Sequence, residues 1–223
     1  LFLAHLQGGS SGGTSEVGRA LDSAILQSST AKGLIEREEI LVKAALENIE
    51  QGGPRRVLVS PSHHGALVSQ IAYKLGYDGG EIVYMDQDPA ALRAADNGMA
   101  IRPKKVSYRP IRGSVFSYFE ESARSAIGDF DLVILHGLLD FLPTRLLPDL
   151  AESLSGLLRD GGEALLVQLP PTEDEFFFTH LIGWRTIRRT PKQVQRLLES
   201  SSTLRVEVAW EGKAGSLIRV KFA

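Results

Sequence analysis

The sequence contains no cysteine. That excludes a disulfide framework, thiolate zinc sites and a cysteine nucleophile, and it fits a reducing compartment, so the expected location is cytoplasmic. The sequence also lacks a surplus of either charge: 25 Lys and Arg stand against 27 Asp and Glu, for a net charge of −2. A broad electropositive surface for phosphate backbones is not expected, and neither is a nucleic-acid partner. No apolar run approaches the roughly 20 residues that span a bilayer, so no membrane partner is expected. The opening stretch LFLAHLQ is too short for a secretory signal and has no basic flank, and the missing initiator Met is read as processing or truncation.

What is present is apolar material, 43% of 223 residues, enough for one sizeable core. GGSSGGTS (Gly8 to Ser15) is a flexible joint. Two helices follow, one from Glu16 to about Gln27 and one from Thr30 to about Glu50, and QGGP stops the second. Residues 1–53 therefore read as an N-terminal helical extension or cap, and 54–223 as the main domain. From Arg56 onward, short apolar runs alternate with helical stretches. VLVS (57–60), EIVYMD (81–86), KVSYRPI (105–111), DLVILHG (131–137) and GEALLVQL (162–169) read as strands, with helices near 67–75, 90–97, 116–126 and 145–158. Strands alternating with helices mean a mostly parallel sheet. After Pro170-Pro171 come a helical EFFFTHLIGW, a helix at PKQVQRLLES and a closing antiparallel hairpin, LRVEVAW with SLIRVKF. The expected fold class is α/β, a doubly wound, seven-stranded, mostly parallel sheet with a C-terminal antiparallel hairpin.

In such a sheet, ligands lie outside the carboxyl ends of the strands, where strand order reverses. The turn after the first strand, Pro61-Ser62-His63-His64-Gly65, keeps one glycine where phosphate-cradling loops have several. Pro61 removes an amide donor and the histidines add bulk, which argues against a dinucleotide pyrophosphate. Asp86 ends the second strand about 20 residues later, where a carboxylate can accept both hydroxyl protons of a ribose. It could instead cap the next helix, but Asp88 before Pro89 suits that task better.

The element order, the stretch FDLVILHGLLDFLPTRLLPDLAESLSGLLRDGGEALLV (Phe130 to Val167) and the terminal hairpin resemble a class I S-adenosylmethionine-dependent methyltransferase, with a Rossmann-like fold. LLRDGG matches the turn that leads into that family's fifth strand. THLIGWRTIRRTPKQVQRLLES and STAKGLIEREEIL resemble more narrowly the branch that includes bacterial enzymes making 3-hydroxy fatty acid methyl ester signals. The family's GxGxG loop corresponds here to Pro61, His63 and Gly65, and the acidic residue that often ends its first strand corresponds to Val59. The resemblance implies S-adenosylmethionine as cofactor. Its methionine end would lie on Ser60, Ser62, His63 and Gly65, its ribose on Asp86 and Gln87, and its adenine on Ser114, Val115 and Phe116. Ser114 also reads as an N-cap for the following helix.

His136 and Asp140 follow the fourth strand, which in that family faces the reacting groups. His136 is a candidate general base or acceptor anchor and a cofactor neighbour, or it packs beside the cofactor with no proton role. Asp140 would orient the acceptor or cap LPTRLL. If the acceptor is a carboxylate, no base is required. His64, Leu139, Phe177, Trp184 and Arg185 are the candidates for touching the acceptor, although EFFF and Trp184 could instead cover the sheet. RRTPKQ reads first as a solvated helix start, and Arg185, Arg188 and Arg189 could also hold an acidic acceptor. Adjacent histidines rarely point at one ion, so no metal is expected. The expected activity is methyl transfer to a small-molecule acceptor, at a carboxyl or hydroxyl oxygen. A catalytically silent binding or regulatory domain stays open, as does non-methylating chemistry with the sulfonium cofactor. A homodimer is among the open oligomeric states.

Overall fold

A computed structural model describes residues 13–51, 55–63, 65–76, 78–99, 103–114, 127–199, 204–212 and 215–222. The chain begins with helices α1 (Glu16–Gln27) and α2 (Ser29–Glu50). Ser15 caps the first by accepting from the Gly18 amide, and Ser28 caps the second by accepting from Ala31. The alternating part follows as β1 (Arg55–Ser60), α3 (Ala66–Leu75), β2 (Gly80–Asp86), α4 (Pro89–Gly98), β3 (Val106–Arg112) and β4 (Phe130–Leu135). Short 3-10 turns at Leu138–Asp140 and Thr144–Leu146 lead into α5 (Leu147–Leu157), which runs directly into β5 (Leu158–Gln168). The chain closes with α6 (Glu175–His180), α7 (Pro191–Leu198), β6 (Leu204–Glu211) and β7 (Ser216–Phe222).

All seven strands form one sheet in the order β3-β2-β1-β4-β5-β7-β6. Strands β3 to β5 are parallel, and β7 inserts antiparallel between β5 and β6. Side chains alternate across the sheet with a period of two, and both faces are covered, so β4 is buried at every residue. One face carries Leu58, Val83, Met85, Val133, Leu135 and Leu166 under α5 and α7. The other carries Val57, Val59, Ile82, Leu132, Ile134 and Val167 under α2, α3 and α4. Each fully buried Val, Leu or Ile contributes about 1.5–3 kcal/mol, which is why these runs hold the layers together.

Helix α2 is part of this core, because Leu41, Ala44, Ala45 and Ile49 pack on the sheet. Several expected bounds move. β5 starts at Leu158 rather than Gly162, because Leu158 already pairs with Phe130; Glu163 then pairs with Leu132, and the residues between, with Gly161 at φ +72, form an irregularity in the strand. The helix after β5 ends at His180, and Gly183 at φ +76 turns the chain away. β3 is shifted by one residue. The helix expected near 116–126 lies outside the described residues. Among the described residues, no helix is long and apolar enough to cross a membrane.

Candidate functional site

The strand order reverses between β1 and β4, and the carboxyl ends of β1, β2 and β4 meet there. Asp86 ends β2, half-buried, paired in register with Arg112 of β3. Its carboxylate accepts from the His63 amide (3.2 Å, Oδ2) and the Asp88 amide (3.0 Å, Oδ1), and its carbonyl accepts from Gly113 (3.0 Å). Each carboxylate oxygen can accept a second bond, so a diol remains within its capacity. Asp88 caps α4 by accepting from Ala90 (2.8 Å), with Pro89 in the first turn, as the sequence leads one to expect. Gln87 is exposed beside Asp86, and Ser114 is half-buried after β3. Val115, Phe116 and His64 lie outside the described residues.

The β1 turn is bound tightly. The Ser62 amide donates to the Met85 carbonyl (2.9 Å), the His63 amide to Asp86, and the Gly65 amide to the Ser62 carbonyl (3.1 Å). Gly65 adopts φ +81, and a Cβ there would overlap the Cα of Ala95 on α4. The one retained glycine thus serves a turn and a close helix approach, both of which demand it. His63 also lies in the left-handed region, at φ +48. Its ring crosses to the β4 end: Nε2 lies 3.1 Å from the His136 carbonyl oxygen, and the two imidazoles meet edge to face at 4.7 Å. The His136 amide donates to the Ser60 carbonyl (3.0 Å). Ser60 and Ser62 are buried, and the Ser62 hydroxyl has no hydrogen-bond partner.

These residues fit the two ends of an S-adenosylmethionine molecule unequally. A ribose would meet the Asp86 carboxylate at the tip of β2. The amino-acid end does not fit the conformation described: Pro61 has no N–H, the amides of Ser62, His63 and Gly65 are engaged, and the His63 ring spans the crevice. His136 itself is only 4% exposed.

Two expected site residues turn inward. Asp140 is 0% exposed and pairs with Arg37 of α2 (2.5 Å), itself 2% exposed. Asp140 Oδ1 also accepts from Gln168 Nε2 (3.0 Å) and from the Leu169 amide (2.9 Å). It caps nothing in LPTRLL and faces no open cleft. Leu139 is buried in the core beside Leu135 and Leu142, so its side chain is not presented to a ligand. Arg189 is likewise buried, donating to the Leu139 and Leu142 carbonyls and to Thr144, and burial pushes its guanidinium down from its usual range while Asp140 works against that. Arg188 is spent on Thr30 (3.0 Å) and Thr172.

Asp174 completes a second polar knot by accepting from the Thr30 amide (2.9 Å), the Thr30 hydroxyl (2.6 Å) and the Thr172 hydroxyl (2.6 Å). Burial pushes its pKa up, but the bonds from Thr172 and Thr30 and the charge of Arg188 outweigh this, leaving it below its ordinary value. Together the two knots fasten the start of α2 to the loops after β4 and β5. Arg37 and Gln168 are missing from the sequence-based site. The signal for Arg37 was present: it sits on the apolar stripe of α2 that includes Leu34 and Leu41, and a cation there requires a buried partner.

The aromatic acceptor candidates form a separate cluster against Ile25 of α1, Ala31 and Leu34 of α2 and Leu169 just after β5. Phe178 is buried with Phe177 and Trp184 packed around it, and Phe141 from the β4 loop meets Trp184 edge to face at 6.3 Å. Phe141 is 53% exposed, and Arg185 is exposed next to half-buried Trp184. His180 stacks on exposed Phe176 at the outer side of α6.

No family model matches the sequence, and no curated protein does. Solved structures match throughout the chain at low identity. A possible exported protein from Bordetella parapertussis is 17% identical with a TM-score of 0.75, covering 99% of this chain and 78% of that one. An O-methyltransferase family protein from Burkholderia thailandensis is 13% identical with a TM-score of 0.62, covering 93% and 60%. Magnesium protoporphyrin IX methyltransferase from Synechocystis PCC 6803, solved with bound SAH, is 12% identical with a TM-score of 0.61, covering 96% and 90%. The sheet order, the antiparallel closing strand and these neighbours agree: the chain has the methyltransferase fold.

Proposed function

We propose that the protein is an S-adenosylmethionine-dependent methyltransferase acting on a small acidic acceptor. The observation that carries this reading is Asp86, a half-buried carboxylate at the tip of β2 beside the strand-order reversal of a methyltransferase fold. Asp86 holds the ribose, and the acceptor approaches past Phe141, Trp184 and Arg185, which offer aromatic surface and one exposed cation. A carboxylate acceptor suits the site, because it needs no proton removed and both His136 and Asp140 are buried. An acid with an apolar tail also agrees with the narrower resemblance to enzymes making 3-hydroxy fatty acid methyl esters.

The β1 turn favours a second reading. Engaged amides and a ring across the crevice suit a catalytically silent domain that binds an adenosine group or nothing. Calorimetry with S-adenosylmethionine and S-adenosylhomocysteine, followed by methyl-transfer assays on short and long carboxylic acids, separates the two. Binding with turnover supports the enzyme; absence of binding by either compound rejects it. Within the first reading, Asp86→Ala weakens S-adenosylhomocysteine at least about tenfold, or ~1.4 kcal/mol, for the loss of charge-assisted bonds to the diol. Unchanged affinity in the folded variant removes Asp86 from the site.

A further inference from the structure

The β1 turn places a side chain where that fold's ligands pass. His63 sits at φ +48, a left-handed conformation that glycine takes freely and that histidine, like asparagine, adopts more readily than most residues. Contacts on both sides hold it there. The amide is tied to Asp86 on one side, and the ring is tied to the His136 carbonyl and imidazole on the other. The residue therefore spans the crevice from β2, where a ribose would be held, to β4, toward which the 5′ substituent of that ribose would extend.

We propose that His63 is a specificity-determining latch, whose imidazole admits adenosine ligands with a small uncharged 5′ substituent and excludes a charged amino-acid tail until it swings away from His136. This rests on the reading of Asp86 as the ribose ligand. Ser62 and Gly65 keep their backbone contacts when the latch opens, because Ser62 donates to Met85 and Gly65 to Ser62 without any contribution from the imidazole. Opening rotates the side chain and breaks the ring's contacts with His136. A ligand that needs the open state binds with its affinity reduced by the fraction of molecules that are open; one that fits the closed state does not.

The probes are 5′-deoxy-5′-methylthioadenosine, which has the nucleoside without the amino-acid tail, and S-adenosylhomocysteine, which has both. Calorimetry is run on wild type, His63→Gly and His63→Asn. Glycine takes φ +48 without strain, and asparagine tolerates it with a side chain shorter than the ring, so both variants keep the fold. The expected result is that wild type binds the methylthio nucleoside at least about tenfold tighter than S-adenosylhomocysteine. His63→Gly then tightens S-adenosylhomocysteine at least about tenfold and leaves the methylthio nucleoside within about threefold. His63→Asn falls between. If His63→Gly leaves S-adenosylhomocysteine affinity unchanged or weakens it while the methylthio nucleoside still binds, the latch is overturned and the ribose reading survives. If neither nucleoside binds any of the three proteins, both fail together.

Discussion

Asp140→Ala tests whether this aspartate holds the structure together or serves chemistry. In the native protein its carboxylate is fully buried, pairs with an almost fully buried Arg37, and accepts from Gln168 and the Leu169 amide. Removing one partner of a buried pair leaves the other charge uncompensated, at about 3–5 kcal/mol. The stranded Leu169 amide puts the total toward the upper part of that range. In a chain of 223 residues, each kcal/mol shifts the melting midpoint by about 2–4 °C, so a loss of about 4–5 kcal/mol lowers it by roughly 8–20 °C. Urea unfolding followed by circular dichroism measures the loss, and a double-mutant cycle with Arg37→Met apportions it. The double variant removes both charges and recovers at least about 2 kcal/mol of the sum of the single losses. Its remaining deficit reflects the Leu169 and Gln168 donors. A single-variant loss below about 1 kcal/mol, or additive behaviour in the cycle, would refute the structural assignment and return Asp140 to the reactive residues.

Two further outcomes are expected from the same geometry. Gly65→Ala meets both a left-handed backbone and the Cα of Ala95, so it costs at least about 2 kcal/mol, and a urea midpoint equal to wild type rules out that packing. Asp174 titrates below its ordinary 3.8 in the folded protein, so its contribution to stability is present above that value and is lost as pH falls through the folded pKa. The stability gap between wild type and Asp174→Asn is thus constant near neutral pH and closes below about pH 4; a gap that widens on acidification contradicts the assignment.

Much of the scaffold was legible before any coordinates. Short apolar runs separated by helical stretches are enough to place β1 to β5, because a parallel sheet covered on both faces requires continuous buried strands. Asp88 could be recognised as a cap from Pro89 alone, since capping is local. Asp140 and Leu139 could not be assigned in that way. They lie within four residues of His136 in sequence, yet the 3-10 turn at Leu138–Asp140 points both inward, one to the core and one to a cation more than 100 residues away. The Arg188 and Arg189 pair reads in sequence as a solvated helix start or as substrate-holding charge, and is consumed by carbonyls and hydroxyls in the fold.

The amino-acid order by itself determined the layers, the sheet and the position of an acid at the tip of β2, because those follow from periodicity and from residues a few places apart. Only the tertiary structure decided which polar side chains remain available. Arg37, Asp140, Gln168 and Arg189 satisfy one another across distant segments, and His63 closes on His136 across the strand-order reversal. Burial favours those pairings, since a polar group taken from water costs free energy unless the packed chain brings a partner within reach.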